Sequence, residues 1–292
     1  MNGQRIPGLA WAMLLLLAFS SSHAAAPVCS LQDADDAGMQ ERLEAVLQDL
    51  GLDRPVADGR LAVSLVVLTD PDHPRLAQVN GHDMIYAASL PKIAILLGAA
   101  VELDEGRLEL DPDLEQDIQD MIRVSCNACA TRVLEKIGRE RLLEILHAPR
   151  YAFFDAEGSG GLWVGKPYGP SPAYRRDPVA GLSHGATTFQ AARFYCALAK
   201  GELVSPDSTR LMRSALSKPG LDHKFVKGLS AYDGLDLYRK SGSWKQFHAD
   251  SMLVETQGGG AYVLVALAKD PAGSAWLEDL AAPLHRLALS LD

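Results

Sequence analysis

The sequence has little cysteine, few aromatic residues and no long apolar run beyond its first two dozen residues. Four of its 292 residues are cysteines, 7% are aromatic, and 28 lysines and arginines stand against 37 acidic residues. The net charge of −9 argues against general nucleic-acid binding, because that function needs a basic surface to displace counterions. With 48% apolar and 22% charged residues the composition is globular, which excludes disorder, collagen and coiled coil as the main architecture.

The first 24 residues predict a secretory signal peptide. Arg5 precedes an apolar run of 11 residues, Leu9–Phe19, and the small residues of Ser20–Ala24 suit cleavage by signal peptidase. The run is too short to cross a bilayer, and a retained membrane anchor is the alternative. Cys29 lacks a lipidation box before it, so no lipid anchor is predicted. We expect residues 25–292 to be a periplasmic or secreted monomer without stable membrane insertion.

All four cysteines lie beyond the predicted signal peptide, at Cys29, Cys126, Cys129 and Cys196. An oxidising compartment permits disulfides, and four cysteines allow three pairings. Cys126 and Cys129 also have the C-x-x-C spacing of redox proteins, although they follow a polar helical stretch rather than a strand. A short-range disulfide, two buried thiols and a redox site are therefore all open. The eight histidines show no ligand spacing, so no metal and no cofactor are expected.

Apolar periodicity and turn residues predict strands near both ends of the chain with helices between them, which is an α+β plan. The predicted helices are Asp33–Leu50, Ser89–Glu102, Thr187–Lys200, one opening at Ser205-Pro206, and Trp276–Leu291. The predicted strands are Leu61–Leu68, Leu76–Val79, Asp236–Ser243, Ala249–Thr256 and Ala261–Ala268, the last two forming a hairpin. No internal repeat is present.

Residues 149–186 form an irregular stretch with five prolines and seven glycines in 38 residues. Trp163, Tyr168 and Tyr174 are interspersed among them, and charge is sparse. A long irregular segment inside a compact domain is usually a functional loop or a lid. An ordinary packed surface loop is the alternative.

Ser89-Leu90-Pro91-Lys92 opens the apolar helix predicted over Ser89–Glu102. Residues three apart share a helix face, so the Lys92 amine can lie beside the Ser89 hydroxyl. A serine is a poor nucleophile until a base takes its proton, and an apolar setting can lower the pKa of a lysine enough for it to act as that base. Alternatively, Ile93–Leu97 is plain core packing and the spacing arises by chance.

Ser125-Cys126-Asn127 is a second short motif. A serine can relay a proton to a leaving group, and an asparagine amide can bond both a substrate carbonyl and a neighbouring lysine. The alternative is a helix N-cap, with Ser125 or Asn127 starting a helix through Ile137.

Lys240-Ser241-Gly242 is the third motif, on a strand expected to end at a sheet edge. A cation followed by a hydroxyl is suited to hold a substrate carboxylate, and a glycine lets a ligand approach the backbone closely. A solvated strand end is the alternative.

In this order and context the three motifs resemble those of the serine β-lactamase and penicillin-binding-protein superfamily, and within it the class A β-lactamases. The resemblance covers most of residues 25–292 and implies one catalytic domain. Its fold would be an antiparallel sheet flanked by helices plus a mainly helical lobe, with the site in the cleft between them. We expect residues 25–87 and 187–292 to form the α/β lobe and residues 88–186 the helical lobe.

The resemblance also implies a role for each motif residue. Ser89 would be the acylated nucleophile, Lys92 its base or proton relay, and Ser125 the donor of a proton to the departing amine. Asn127 would bind the side-chain amide of the substrate and help to fix Lys92.

The third motif would bind the other end of the substrate. Lys240 and Ser241 would hold its carboxylate beside Gly242. The backbone N–H groups of Ser89 and Ser243 would form the oxyanion hole, where losing one donor typically costs about 100- to 1,000-fold in rate.

Three features depart from the class A pattern. The Glu-x-x-Leu-Asn loop that positions the deacylating water is not found, and the acids of the corresponding stretch are Asp155, Glu157 and Asp177. The serines of the first two motifs are only 36 residues apart, which is shorter than usual in class A. A cysteine stands in the middle of the second motif, where the family usually has aspartate.

The sequence thus supports more than one function. The principal hypothesis is β-lactamase-type hydrolysis of a β-lactam through an acyl-enzyme on Ser89. The alternatives are a penicillin-binding D-Ala-D-Ala carboxypeptidase acting on peptidoglycan peptides, and a non-catalytic exported binding protein in which Ser89 does not acylate. A thioredoxin-like oxidoreductase would need a reactive thiol at Cys126 or Cys129.

Overall fold

The computed structural model describes residues 27–290, so the predicted signal peptide lies outside the described residues. The helices within this range are α1 (Ala37–Asp49), α2 (Asp53–Ala57), α3 (Lys92–Asp104), α4 (Pro112–Arg123), α5 (Asn127–Ile137), α6 (Arg139–His147), α7 (Thr188–Ala199), α8 (Pro206–Leu216), α9 (Phe225–Gly228) and α10 (Gly273–Leu289). The strands are β1 (Leu61–Val67), β2 (Arg75–Val79), β3 (Ile85–Tyr86), β4 (Phe154–Asp155), β5 (Gly160–Gly161), β6 (Trp163–Val164), β7 (His184–Ala186), β8 (Leu235–Trp244), β9 (Phe247–Thr256) and β10 (Ala261–Lys269).

Five strands form the main sheet in the order β2-β1-β10-β9-β8. Every neighbouring pair in it is antiparallel, which confirms the predicted β9–β10 hairpin and the predicted return of β2 against β1. The strand β8, which carries the third motif, lies at the edge of this sheet as predicted. Part of that edge is covered, because Ser217 forms an isolated antiparallel bridge with Tyr238.

The central strands are apolar on both faces because helices cover both faces of the sheet. In β1, Leu61 and Leu65 pack in a core with α1 and α10, whereas Ala62 and Val66 pack in a second core that includes α7. Burial on both faces explains why this strand reads as a continuous apolar run. The predicted α+β fold, an antiparallel sheet flanked by helices, is confirmed.

The helix α3 is the centre of a group of helices beside the sheet. Its residues from Lys92 to Glu102 are buried, and it packs against α5, α6 and α8. The helices α4 and α8 also contact β8. Because the first motif precedes α3 and the second precedes α5, this packing brings both motifs to the sheet edge that carries the third.

Two predicted helices begin later than the sequence indicated. The first helix, α1, begins at Ala37 rather than Asp33, because the Asp36 carboxylate caps it. The third helix, α3, begins at Lys92 rather than Ser89, since the three preceding residues form a tight turn. The limits of α7 agree with the prediction to within one residue, α8 opens where it was predicted, and both helices have the expected hydroxyl N-caps.

Both cysteine pairs form disulfides. Cys29 is bonded to Cys196, and Cys126 to Cys129, so one of the three possible pairings is selected. The alternative of two buried thiols is therefore wrong. The described part of the chain has no free cysteine.

Candidate active site

Ser89 lies in the turn that leads into α3, where it lines a cleft of about 830 Å³. Two other predicted site residues, Asn127 and Ser243, line the same cleft. The remaining five do not line it but adjoin it. Lys92, Lys240, Ser241 and Gly242 are buried, and Ser125 is half-buried.

The Lys92 side chain reaches from the first turn of α3 to the second motif. Its Nζ donates to Ser125 O at 2.7 Å and to Asn127 Oδ1 at 2.9 Å, with Ser125 Oγ at 3.3 Å. These three contacts all go to the second motif rather than to the Ser89 hydroxyl. Burial lowers the pKa of Lys92 to about 7. A lysine with that pKa is partly neutral near pH 7 and can accept a proton.

The second motif is held by its middle residue. Cys126, rather than Ser125 or Asn127, is the N-cap of α5, and its Sγ accepts the Cys129 N–H at 3.1 Å. The capping alternative was therefore wrong about the cap, although α5 ends at Ile137 as it predicted. Because Cys126 does the capping, the hydroxyl of Ser125 and the amide of Asn127 remain available to the lysines. Ser125 itself has a left-handed backbone with φ of 62°, which is uncommon for a residue with a side chain.

Lys240 faces the same serine from β8. Its Nζ donates to Ser125 Oγ at 2.9 Å and to Ser241 O at 2.6 Å. Burial, and then the charge of Lys92, lowers the pKa of Lys240 well below its usual value. The Ser125 hydroxyl thus lies between two amines, and it can accept a proton from one and donate its own to a third group.

Gly242 brings β8 against the turn that contains Ser89. A Cβ at this position would lie 2.7 Å from Ser89 N and 2.9 Å from Leu90 N, and it would collide with Ala87 O. Only glycine permits this approach. The backbone N–H groups of Ser89 and of the next strand residue, Ser243, therefore lie at the same end of the cleft.

Aromatic side chains form much of the cleft wall, and sequence reasoning did not assign them to the site. They are Tyr86, Tyr168, Trp244 and Phe247. The Tyr168 hydroxyl donates to Ala88 O at 3.3 Å, and its ring lies 4.5 Å from Lys92 Nζ. The only sequence signal for Tyr168 was its place among the aromatic residues of the irregular stretch.

His184 stacks on Tyr168 with ring centroids 4.2 Å apart, and sequence reasoning missed it entirely. Burial lowers the pKa of His184 to about 4, so the ring is neutral at pH 7. Its Nε2 lies 2.9 Å from Lys166 O, and its Nδ1 lies 3.5 Å from Ser183 Oγ. The ring is a neutral part of the wall rather than a cation facing a ligand.

None of the three acids of residues 149–186 lines the cleft. Asp155 accepts two backbone N–H groups of its own surface turn, and Glu157 is exposed in the same turn. Asp177 is buried and accepts backbone N–H groups of its own loop. Within residues 27–290, the side chains that line the cleft include no carboxylate.

Comparison with protein families gives one match. A sequence profile of the beta-lactamase enzyme family matches residues 112–287, which is more than half of the chain. The matched range contains the second and third motifs, whereas Ser89 and Lys92 lie before it. Comparison with curated proteins gives no match.

Several solved structures have the same fold. The structure of PBP-A is similar with a TM-score of 0.67 at 18% identity, covering 88% of this chain and 97% of that chain. A β-lactamase from Sphaerobacter thermophilus DSM 20745 has a TM-score of 0.66 at 18% identity, covering 87% and 96%. The TLA-3 extended-spectrum β-lactamase has a TM-score of 0.68 at 13% identity, covering 87% and 98%. At these identities the similarity shows the fold alone.

Proposed function

Because this chain belongs to the beta-lactamase enzyme family, we propose that it is a serine hydrolase that reacts with β-lactams through an acyl-enzyme on Ser89. The observation that carries the proposal is the Ser125 hydroxyl between two buried lysines, with Lys92 Nζ at 3.3 Å and Lys240 Nζ at 2.9 Å. This arrangement supplies a base of lowered pKa and a route for the proton to the leaving group.

Acylation moves one proton from Ser89 to the lactam nitrogen by way of Lys92 and Ser125. The neutral Lys92 amine takes the Ser89 proton while Ser89 Oγ bonds to the lactam carbonyl carbon. The resulting oxyanion accepts the N–H groups of Ser89 and Ser243. As the C–N bond breaks, Ser125 gives its proton to the lactam nitrogen and recovers one from Lys92. Lys240 and Ser241 hold the substrate carboxylate beside Gly242.

Release of the acyl group requires a base that can take a proton from water. The loop side chain in contact with Lys92 is Tyr168, and burial raises its pKa well above the usual value, so it remains a phenol. Both ring nitrogens of His184 already face neighbouring oxygens. Lys92 is neutral again after acylation, but none of the described residues lining the cleft supplies a carboxylate to hold a water, so we expect hydrolysis of the acyl-enzyme to be slow.

A second candidate function is a penicillin-binding D-Ala-D-Ala carboxypeptidase that uses the same residues on a peptide. The cleft without a lining carboxylate favours it, because a long-lived penicillin adduct is typical of such peptidases. A variant of PBP-A was solved as an acyl-enzyme complex with penicillin G. If this function is correct, the protein releases free D-alanine from a peptide ending in D-Ala-D-Ala, and prior treatment with penicillin blocks that release.

The decisive experiment follows a fluorescent penicillin on the protein over time. The protein is labelled, chased with unlabelled penicillin, and assayed for bound label and for lactam hydrolysis in parallel. We expect label that persists for many minutes with little turnover. Label that vanishes within seconds with rapid turnover would instead identify an efficient β-lactamase. No label and no hydrolysis would overturn the acyl-enzyme and favour the non-catalytic binding protein.

The acylation rate is expected to rise with pH and to reach half its maximum near pH 7. Below this pH Lys92 is cationic and cannot take the Ser89 proton, since its pKa is about 7. Stopped-flow measurement of penicillin acylation at a series of pH values tests this. The Lys92→Arg variant, which stays charged, is expected to be slow at every pH without this inflection. A wild-type profile that is flat through pH 7 would contradict the role of Lys92 as base.

We also propose that the protein acts outside the cytoplasm. The predicted signal peptide supports this, and so do two disulfides, which form and persist mainly in oxidising compartments. Among the helices of residues 27–290, none is long and apolar enough to cross a membrane.

A further inference from the structure

Lys224 is a buried lysine that the proposed chemistry does not use. It precedes α9, it is 1% exposed, and its Nζ lies beneath the third motif. The Nζ donates to Gly242 O at 2.6 Å, to Ser243 Oγ at 2.8 Å and to Ala249 O at 3.0 Å. An ammonium group has three donors, so these three acceptors satisfy it fully.

The backbone around Lys224 is fixed by a buried ion pair. The Asp250 carboxylate accepts two hydrogen bonds from Arg239, both at 2.7 Å, and it also accepts the Phe225 N–H at 3.2 Å. Arg239 and Asp250 are both buried. The start of α9 is thereby tied to β8 and β9, which fixes the position of the Lys224 backbone.

The shortest of the three contacts involves a peptide group of the proposed oxyanion hole. Gly242 O and the Ser243 N–H belong to one peptide unit, and in a trans peptide they point in opposite directions. A donor that holds Gly242 O from one side therefore directs the Ser243 N–H to the other. That other side is the cleft, because Gly242 packs on Ser89 N and Ser243 lines the cavity.

We propose that Lys224 is a positioning residue for the oxyanion hole, which aims and polarises the Gly242–Ser243 peptide so that its N–H stabilises the acylation transition state. The inference rests on the proposed acylation of Ser89. A hydrogen bond from a charged donor is stronger than one from a neutral donor, and a polarised carbonyl makes the N–H of its own peptide a better donor. Lys224 itself touches no reacting atom in this scheme.

The test compares Lys224→Met with Lys227→Met, both measured with penicillin. Lys227 belongs to α9, is exposed, and pairs with Glu278 at the surface, so it is a matched lysine without the buried contacts. Two quantities are measured: the acylation rate constant apart from the binding constant, and the infrared band of the acyl-enzyme ester carbonyl. That band moves to higher wavenumber when oxyanion-hole hydrogen bonds weaken, which a loss of stability alone would not produce.

We expect Lys224→Met to slow acylation by roughly 10-fold or more, which is less than the loss of a whole donor. The ester band is expected to move to higher wavenumber, while the binding constant and the Lys227→Met variant stay close to wild type. If the methionine variant does not fold, Lys224→Gln carries the test. Glutamine keeps a neutral donor. The ester band is therefore expected to move in the same direction but less far, with a smaller loss of acylation rate.

Three results would overturn the inference. An unchanged rate and band in a folded Lys224 variant would do so directly. A weakened binding constant with an unchanged band would instead make Lys224 part of the substrate carboxylate site. Absence of an acyl-enzyme in the wild type would overturn the proposed function, and the inference with it.

Discussion

Replacing Ser89 by alanine is expected to abolish covalent labelling by penicillin. The variant lacks the hydroxyl of the first motif, which lines the cleft where Gly242 approaches the Ser89 backbone. Removal of a catalytic serine nucleophile typically costs about 10⁶-fold in rate, which places the residual reaction below detection. Intact-protein mass spectrometry after incubation with penicillin G measures the adduct directly.

The matched control for this result is Ser230→Ala. Ser230 is an exposed serine in a turn beyond α9, and the control is expected to keep the full adduct. Circular dichroism of both variants shows whether each is folded. A folded Ser89→Ala protein that still gained the mass of one penicillin would place the nucleophile elsewhere.

Removing the Cys29–Cys196 disulfide is expected to cost about 5 kcal/mol of the free energy of unfolding. The two cysteines are 167 residues apart in sequence, and the stabilisation from restricting the unfolded chain grows with the length of the closed loop. Since domains of this kind are typically stable by about 5–15 kcal/mol, this is a large part of the total. Urea denaturation of the Cys29→Ser/Cys196→Ser protein measures it.

The second disulfide provides an internal control of the same chemistry. Cys126 and Cys129 are only three residues apart, so the same argument predicts a loss of about 2 kcal/mol for the corresponding double serine variant. Equal losses for the two pairs would contradict the loop-length explanation. They would indicate that contacts made by the sulfur atoms in the folded protein decide the stability.

The strands of the main sheet could be predicted because they are apolar runs between clear turns. The first residue of a helix was harder to predict, because the sequence contains several residues that could cap it and tertiary contacts select one of them. Asp33, Asp35 and Asp36 all precede α1, but Asp36 also accepts Arg75 Nε from β2 at 2.7 Å. That contact lies 39 positions along the chain, and no local pattern could reveal it.

In the candidate site, too, some residues could be predicted from the sequence and others could not. Ser89, Lys92 and the other motif residues could be predicted because each carries a side chain whose chemistry is recognisable at a fixed spacing. Lys224 could not be predicted, since two of its three partners are backbone carbonyls, which every residue has. Tyr168 lies in an irregular stretch, where the spacing of residues does not indicate which way a side chain points.

Part of the outer edge of β8 is covered within the folded protein. Ser217 bridges it at Tyr238, Lys240 is tied to Ser125, and Ser243 and Trp244 border the cleft. Long open edges invite pairing with other chains and cause aggregation. The bridged part of this edge is therefore closed to a strand of another chain, and the part beside Ser243 and Trp244 faces the cleft.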